Sequence, residues 1–172
     1  MREFVEAALD LKGVLRQGWV DAGMEHPESV ADHSYAAGII AMLISDISGL
    51  DTGRVVRMAL LHDMAEGITG DIVPGSMDPA KKRNMEQDAM DRILNSLPPP
   101  LKDLYREAWQ EYVSALTPEA RLVHDADRLE MGLQAHRYRD MLDAATLKSF
   151  LESAHTGLER GRAAGIIREG SS

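Results

Sequence analysis

Between Leu60 and Asp71 the chain reads LLHDMAEGITGD, which sets His62, Asp63, Glu66 and Asp71 in one short run. In the segment before it, Arg54 to Leu61, the apolar residues Val55, Met58 and Ala59 recur at i, i+3 and i+4. That is the spacing of one helical face, and the next positions on the stripe are His62 and Glu66. The spacing therefore predicts a helix that turns a histidine and a glutamate toward the core, with Asp63 beside them. Burying ionisable groups costs several kcal/mol each unless they are paired or bound to a metal. A chain that concentrates such groups in one place is describing a site.

Length and composition bound what can surround that site. The chain has 172 residues, 44% hydrophobic and 27% charged, which suits residues 1–172 as one domain with a sizeable core. The net charge of -9, with no long basic cluster, disfavours a nucleic-acid polymer as partner and leaves room for a small anion at a local positive site. The absence of cysteine excludes disulfides and thiolate metal sites. The opening MREFVEAALDLKG is charged throughout and does not read as a signal peptide. No apolar run approaches the ~18 residues of a membrane span, and the cytoplasm is the expected compartment.

In order, the chain predicts helices and no strands. A first helix covers 3–18 on the stripe Phe4, Ala7, Ala8, Leu11 and Leu15, with Arg16 and Trp19 at or just past its end. A second begins at Ser29, where Ser29-x-x-Asp32 is a capping-box variant, and stops at Gly49. Its expected buried face is Ala36, Ala37, Ile40, Leu43, Ile44 and Ile47, and His33 lies on the same stripe. Asp51 or Thr52 caps the third helix. Glycines and prolines from 67 to 79 mark a long loop. A fourth helix runs from Pro79 to Leu97 and is ended by Pro98-Pro99-Pro100. A fifth covers Leu101 to Ala115. Thr117-Pro118 opens a sixth, which runs to Tyr138 with Ala120, Val123, Ala126, Leu129 and Leu133 inward and Asp127 on the edge. A seventh covers 143–162, and the tail from Gly165 to Ser172 is expected to fray. The fold class is all-α, a bundle of about six to seven helices.

Three of these core helices carry His33, His62-Asp63 and Asp127 inward. Two imidazoles and two carboxylates without a thiolate form a nitrogen and oxygen ligand set for a first-row divalent ion. Such an ion neutralises the acids and activates a bound water if coordination positions stay open. Each part has a plainer reading. A lone histidine such as His33 is more often a hydrogen-bonded core residue, an adjacent His-Asp pair is common by chance, and Asp127 among Asp125, Arg128 and Glu130 suits an exposed helix. Their coincidence on inward faces favours the site.

The order His33, His62-Asp63, Asp127 resembles the H…HD…D signature of the HD-domain metal-dependent phosphohydrolases. LKGVLRQGW (11–19), PESVADHSY (27–35), LLHDMAEGITGDI (60–72) and ADRLEMGLQA (126–135) are similar to the HD-domain 5'-deoxynucleotidases over about residues 9–140. The resemblance implies an HD-domain bundle and hydrolysis of deoxynucleoside 5'-monophosphates. It implies one divalent metal on His33, His62, Asp63 and Asp127, substrate contacts from Arg16 and Trp19, and catalytic acids at Glu66 and Asp71. It also implies a homodimer, which the ten methionines suit. The part after about 143 carries no resemblance.

The residue chemistry agrees. A dianionic phosphate monoester on an acidic protein needs metal charge and a guanidinium, and Arg16 is the best-placed candidate. Trp19 offers a face to sugar or base, or is an ordinary core aromatic. Glu66 and Asp71 suit water and leaving-group chemistry in either assignment. Glu86, Asp88 and Glu130 read as surface charge, and His26, His124, His136 and His155 fall outside the ligand positions. Lys81-Lys82-Arg83 reads as a solvated face from which a phosphate contact is within reach. The ligand set admits manganese, cobalt, iron, nickel or zinc, and base preference is not written in the chain. Two other readings remain open. One is an HD phosphohydrolase acting on a cyclic nucleotide, a triphosphate or guanosine tetraphosphate. The other is a non-catalytic nucleotide-binding or metal-binding regulatory module.

Overall fold

A computed structural model describes residues 1–167, and among them the chain is helical with no strand. The elements are α1 (Arg2–Asp10), α2 (Gln17–Asp21), α3 (Val30–Ser48), α4 (Thr52–Leu61), α5 (Glu66–Thr69), α6 (Pro79–Asn95), α7 (Pro99–Ser114), α8 (Pro118–Tyr138), α9 (Ala144–Ser153) and α10 (His155–Ala163). The all-α expectation holds. The additional segments are the short turns α2 and α5 and the division of the last expected helix.

Side chains set the helix starts. The Ser29 hydroxyl accepts from the Asp32 amide at 3.1 Å while the Asp32 carboxylate accepts from the Ser29 amide at 3.0 Å. Two amides that the helix leaves unpaired are satisfied, and loss of such a cap costs about 1 kcal/mol. Asp51, Asp78 and Thr117 cap α4, α6 and α8 by accepting from first-turn amides, without the reciprocal bond. The proline run acts differently from expectation. Pro99 and Pro100 begin α7 instead of merely ending α6. A proline lacks the amide that the first turn leaves unpaired anyway, so the start of a helix tolerates it.

The first helix is shorter than its stripe suggests and ends at Asp10. Leu15 then forms an isolated antiparallel bridge with Ser29, and the Arg16 amide donates to the Glu28 carbonyl at 3.0 Å. This long-range pairing overrides local helical periodicity. It ties the start of α2 to the start of α3 and so holds Arg16 next to the helix that carries His33.

The core is one cluster with contributions from α1, α3, α4 and α6 through α10, and its largest fully buried side chains include Ile44, Met58, Met90, Ile93, Leu94, Leu122 and Leu129. Each such side chain contributes about 1.5–3 kcal/mol. α3 packs against α4 and α8, and α10 lies along α8. The α8–α10 contact explains why the last expected helix is divided at Ala154. A Cβ on Gly157 would meet the Leu129 amide nitrogen at 2.3 Å and the Asp125 carbonyl at 2.4 Å, so α10 rests on the backbone of α8. Breaking the helix lets α10 make that approach while α9 turns back over α2. The expected fraying from Gly165 is corrected for 165–167, because Ile166 and Ile167 pack on the core and both amides bond to the Gly161 carbonyl. The remainder of the tail lies outside the described residues.

α3 also corrects two expectations. Its inner face is Val30, His33, Ala37, Ala41 and Ile44, but Leu43 and Ile47 are 47% and 58% exposed. They line up with Tyr35 and Ile39 on the outer side at four-residue spacing. The helix is apolar all round because it has two apolar faces, and the core covers only one. For the same reason it reaches the length and mean hydropathy, 1.2 over its best window, of a membrane span. The fully buried His33 and Ser45 show that its inner side is core packing.

Candidate metal centre and active site

α3 and α8 pack together and bring His33 to Asp127, with His33 Nε2 3.1 Å from Asp127 Oδ1. The end of α4 adds the other two residues. His62 Nε2 is 3.1 Å from Asp63 Oδ2, and the same oxygen lies 3.7 Å from His33 Nε2. One ligand atom from each of His33, His62 and Asp127 lies within 4.8 Å of the others. All four residues expected to converge do so.

The orientation of these atoms bears on whether a metal fits. His33 Nε2, His62 Nε2 and Asp63 Oδ2 are buried without a hydrogen-bond partner. The outer nitrogens are engaged. His33 Nδ1 donates to Glu130 Oε2 at 2.6 Å and His62 Nδ1 donates to the Ala59 carbonyl at 2.6 Å. Because both partners are acceptors, each Nδ1 is assigned the hydrogen and each Nε2 is aimed into the cluster. Ligand bonds of ~2.0–2.2 Å separate neighbouring ligand atoms by about 3.0–3.6 Å. The two 3.1 Å spacings fall in that range and the 3.7 Å spacing lies just above it, and the residues fit one divalent ion.

A family model described as an HD domain matches residues 8–165. The chain belongs to the HD-domain family. The 5'-deoxynucleotidase HDDC2 of Danio rerio is 41% identical over 142 residues, covering 82% of this HD-domain chain and 70% of that protein. The 5'-deoxynucleotidase hdd1 of Schizosaccharomyces pombe is 41% identical over 140 residues, covering 78% and 70%. A conserved hypothetical protein from Pyrococcus furiosus superposes with a TM-score of 0.77 at 30% identity, over 97% of this chain and 100% of that one.

Electrostatics across this HD domain's site are strongly coupled. Burial and Arg16 lower the affinity of His33 for a proton, but attraction from Asp127 and Glu130 outweighs them and carries its pKa to about 10. His62 is raised as well, with Asp63 overcoming its burial. Burial pushes Asp63 up, yet His62, His33 and Arg16 hold it well below the usual carboxylate range. Asp127 is likewise held down, by His33, against its burial. Glu66 goes the other way: burial, then repulsion from Asp63 and Asp71, raises it to about 9. Arg16 stays charged despite burial because Asp63, Asp71, Asp127 and Glu66 surround it.

The remaining expected residues fall around the cluster. Arg16 caps α2, with Nη1 3.5 Å from Asp63 Oδ2 and Nε 3.9 Å from Asp71 Oδ2. Asp71 Oδ2 also accepts from the Gln17 amide at 2.7 Å, so this loop carboxylate is fixed to the start of α2. Glu66 opens α5 after a break in the helix at 62–65, and its buried Oε2 has no partner. Gly67 makes room for that turn, since a Cβ there would meet the Ala7 carbonyl oxygen at 2.6 Å. Trp19 is only 2% exposed; its Nε1 donates to Glu28 Oε1 at 2.9 Å and its ring packs on Phe150. Trp19 packs as a core aromatic and also borders the cavity between α2, α8 and α9.

Glu130, expected as surface charge, is a correction. It is 5% exposed and holds the outer nitrogen of His33. Its position three residues after Asp127 was the available signal, since i and i+3 share a helix face. Glu86 likewise faces a cavity of about 320 Å³ beside the cluster, shared with His62, Asp63, Glu66 and Lys82. Lys82 is turned inward, with Nζ donating to the Ile72 carbonyl at 2.6 Å. His124 stacks on Tyr112 and stays outside the cluster.

Proposed function

We propose that this HD domain is a metal-dependent 5'-deoxynucleotidase that hydrolyses deoxynucleoside 5'-monophosphates to deoxynucleoside and phosphate. The observation that carries the reading is the set of unpartnered, buried ligand atoms on His33, His62 and Asp63 facing Asp127, with a charged Arg16 beside them. The two relatives named 5'-deoxynucleotidase support the substrate class. We read residues 1–172 as one domain acting in the cytoplasm.

His33, His62, Asp63 and Asp127 would hold the ion, which manganese, cobalt, iron, nickel or zinc satisfies with this ligand set. When bound, it supplies a lowered water pKa and positive charge for the phosphoryl oxygens. Arg16 binds the phosphate as a guanidinium fixed by Asp63 and Asp71 and adds positive charge where the transferring group gains negative charge. Glu66 and Asp71 handle the protons of the attacking water and the leaving oxygen, in either assignment. The water oxygen bonds to phosphorus and gives its proton to whichever of the two carboxyls is ionised, the bond from phosphorus to the 5' oxygen breaks, and that oxygen leaves with a proton returned by these acids. Asp71 Oδ2 is engaged by the Gln17 amide, and this anchors the carboxyl for that transfer. Trp19 supports the wall on which the nucleoside rests.

A homodimer is part of the proposal. Tyr35, Ile39, Leu43 and Ile47 form an outward apolar row on α3 that an isologous contact would bury.

The test is phosphate release from a panel of deoxynucleoside and ribonucleoside monophosphates, cyclic nucleotides, triphosphates and guanosine tetraphosphate, with each divalent ion. Release from the deoxynucleoside monophosphates above all others is expected. Preference for another class would assign a different HD phosphohydrolase activity. No release from any of them would leave a regulatory module.

A further inference from the structure

Two cavities meet at the metal-ligand cluster. The smaller is predominantly polar: Asp63, Glu66, Lys82 and Glu86 line it, with Trp109 and Tyr112 on one side. The larger, about 640 Å³, extends between α2, α8 and α9, with Met131, Val73, Pro74 and Phe150 in its lining. Arg16, Asp71 and Asp127 border both. A nucleobase in the smaller cavity would strip water from carboxylates and a lysine without replacing it, at high cost. The larger cavity is of a size and apolar character that suit a ligand of nucleoside dimensions.

The aromatic surface of that cavity belongs to α9. Phe150 packs on Trp19 with ring centroids 4.0 Å apart and planes tilted by 30°. Trp19 lies behind it, buried on its other side by Tyr138, while Phe150 stays half-buried. Gly18 lies alongside, where a Cβ would make an ordinary van der Waals contact with Phe150 Cε1 at 3.5 Å. α9 has no fully buried residue, and Ser149, next to Phe150, is exposed on the same cavity wall.

Resting on the hydrolase reading above, we infer that the nucleobase of the substrate lies in the larger cavity against Phe150, and that α9 is the element that discriminates between bases. The phosphate sits at the shared border on Arg16, and the sugar spans from there toward α9. Base discrimination then depends on a segment that can vary without disturbing the ligand cluster, because α9 contributes none of those residues.

The test uses the full-length, metal-loaded protein and calorimetric titration with deoxynucleosides and, separately, with inorganic phosphate. Phe150→Ala removes the aromatic face. Ser149→Trp, at an exposed position, fills the cavity without touching the packing of Phe150 on Trp19. Both variants are expected to weaken deoxynucleoside binding on the order of 10-fold or more, the effect of losing a base–aromatic stack. Inorganic phosphate affinity stays the same, and the order of base preference in KM changes. Wild-type deoxynucleoside affinity in both variants, or an equal loss for phosphate, overturns the inference. Wild-type protein that releases no phosphate from any deoxynucleotide overturns the hydrolase reading instead, a separate result from the same preparation.

Discussion

Glu130 Oε2 lies 2.6 Å from His33 Nδ1 in the buried interior, joining residues 97 positions apart. This contact fixes which nitrogen of His33 faces the cluster. A carboxylate behind a ligating histidine sets its tautomer and raises its basicity. Glu130→Ala is expected to weaken metal binding by about 10- to 100-fold. Glu130→Gln keeps an acceptor and should lose less. Competition against a chelating dye measures both, and an unchanged affinity in Glu130→Ala would remove Glu130 from the site.

Metal binding should release protons. Without an ion, His33 is raised to about 10 and Glu66 to about 9, and His62 is raised too. His33 and Glu66 therefore hold protons near neutrality. The ion requires neutral imidazoles, so binding displaces protons and affinity climbs as pH rises toward those values. Titration calorimetry in buffers of different ionisation enthalpy reads the proton count directly. A heat independent of the buffer would contradict this.

The outer face of α3 predicts an assembly that can be broken from outside the core. Leu43→Glu and Ile39→Glu change half-exposed positions, so the fold should persist while the dimer dissociates. Light scattering should give a dimer mass for the wild type and a monomer mass for the variants. A wild-type monomer across micromolar concentrations refutes the homodimer.

Much of the site was legible because its signals are local. The Ser29 and Thr117 caps begin α3 and α8 where the sequence says they do, and helical phase alone turns His33 and Asp127 inward. His62 and Asp63 follow an amphipathic run that ends where they begin. What the sequence hid depends on partners far along the chain. Arg16 reaches the cluster through the Leu15–Ser29 bridge, which no helical pattern encodes. Trp19 is covered by Phe150, from a segment that carried no resemblance. Glu130 sits among Asp125, Asp127 and Arg128, a run that looks solvated until the packing of α3 on α8 places His33 against it. Leu43 and Ile47 matched a helix that is apolar on both sides, so periodicity gave no basis for choosing its face.

The central claim is that hydrolysis needs water-directed acids beside a complete ligand set. The most direct measurement is the turnover of deoxynucleoside monophosphates by Glu66→Ala and Asp71→Ala, with bound metal determined on the same samples. The account predicts wild-type metal content with turnover reduced on the order of 100-fold or more. Near-wild-type kcat in both variants would contradict it.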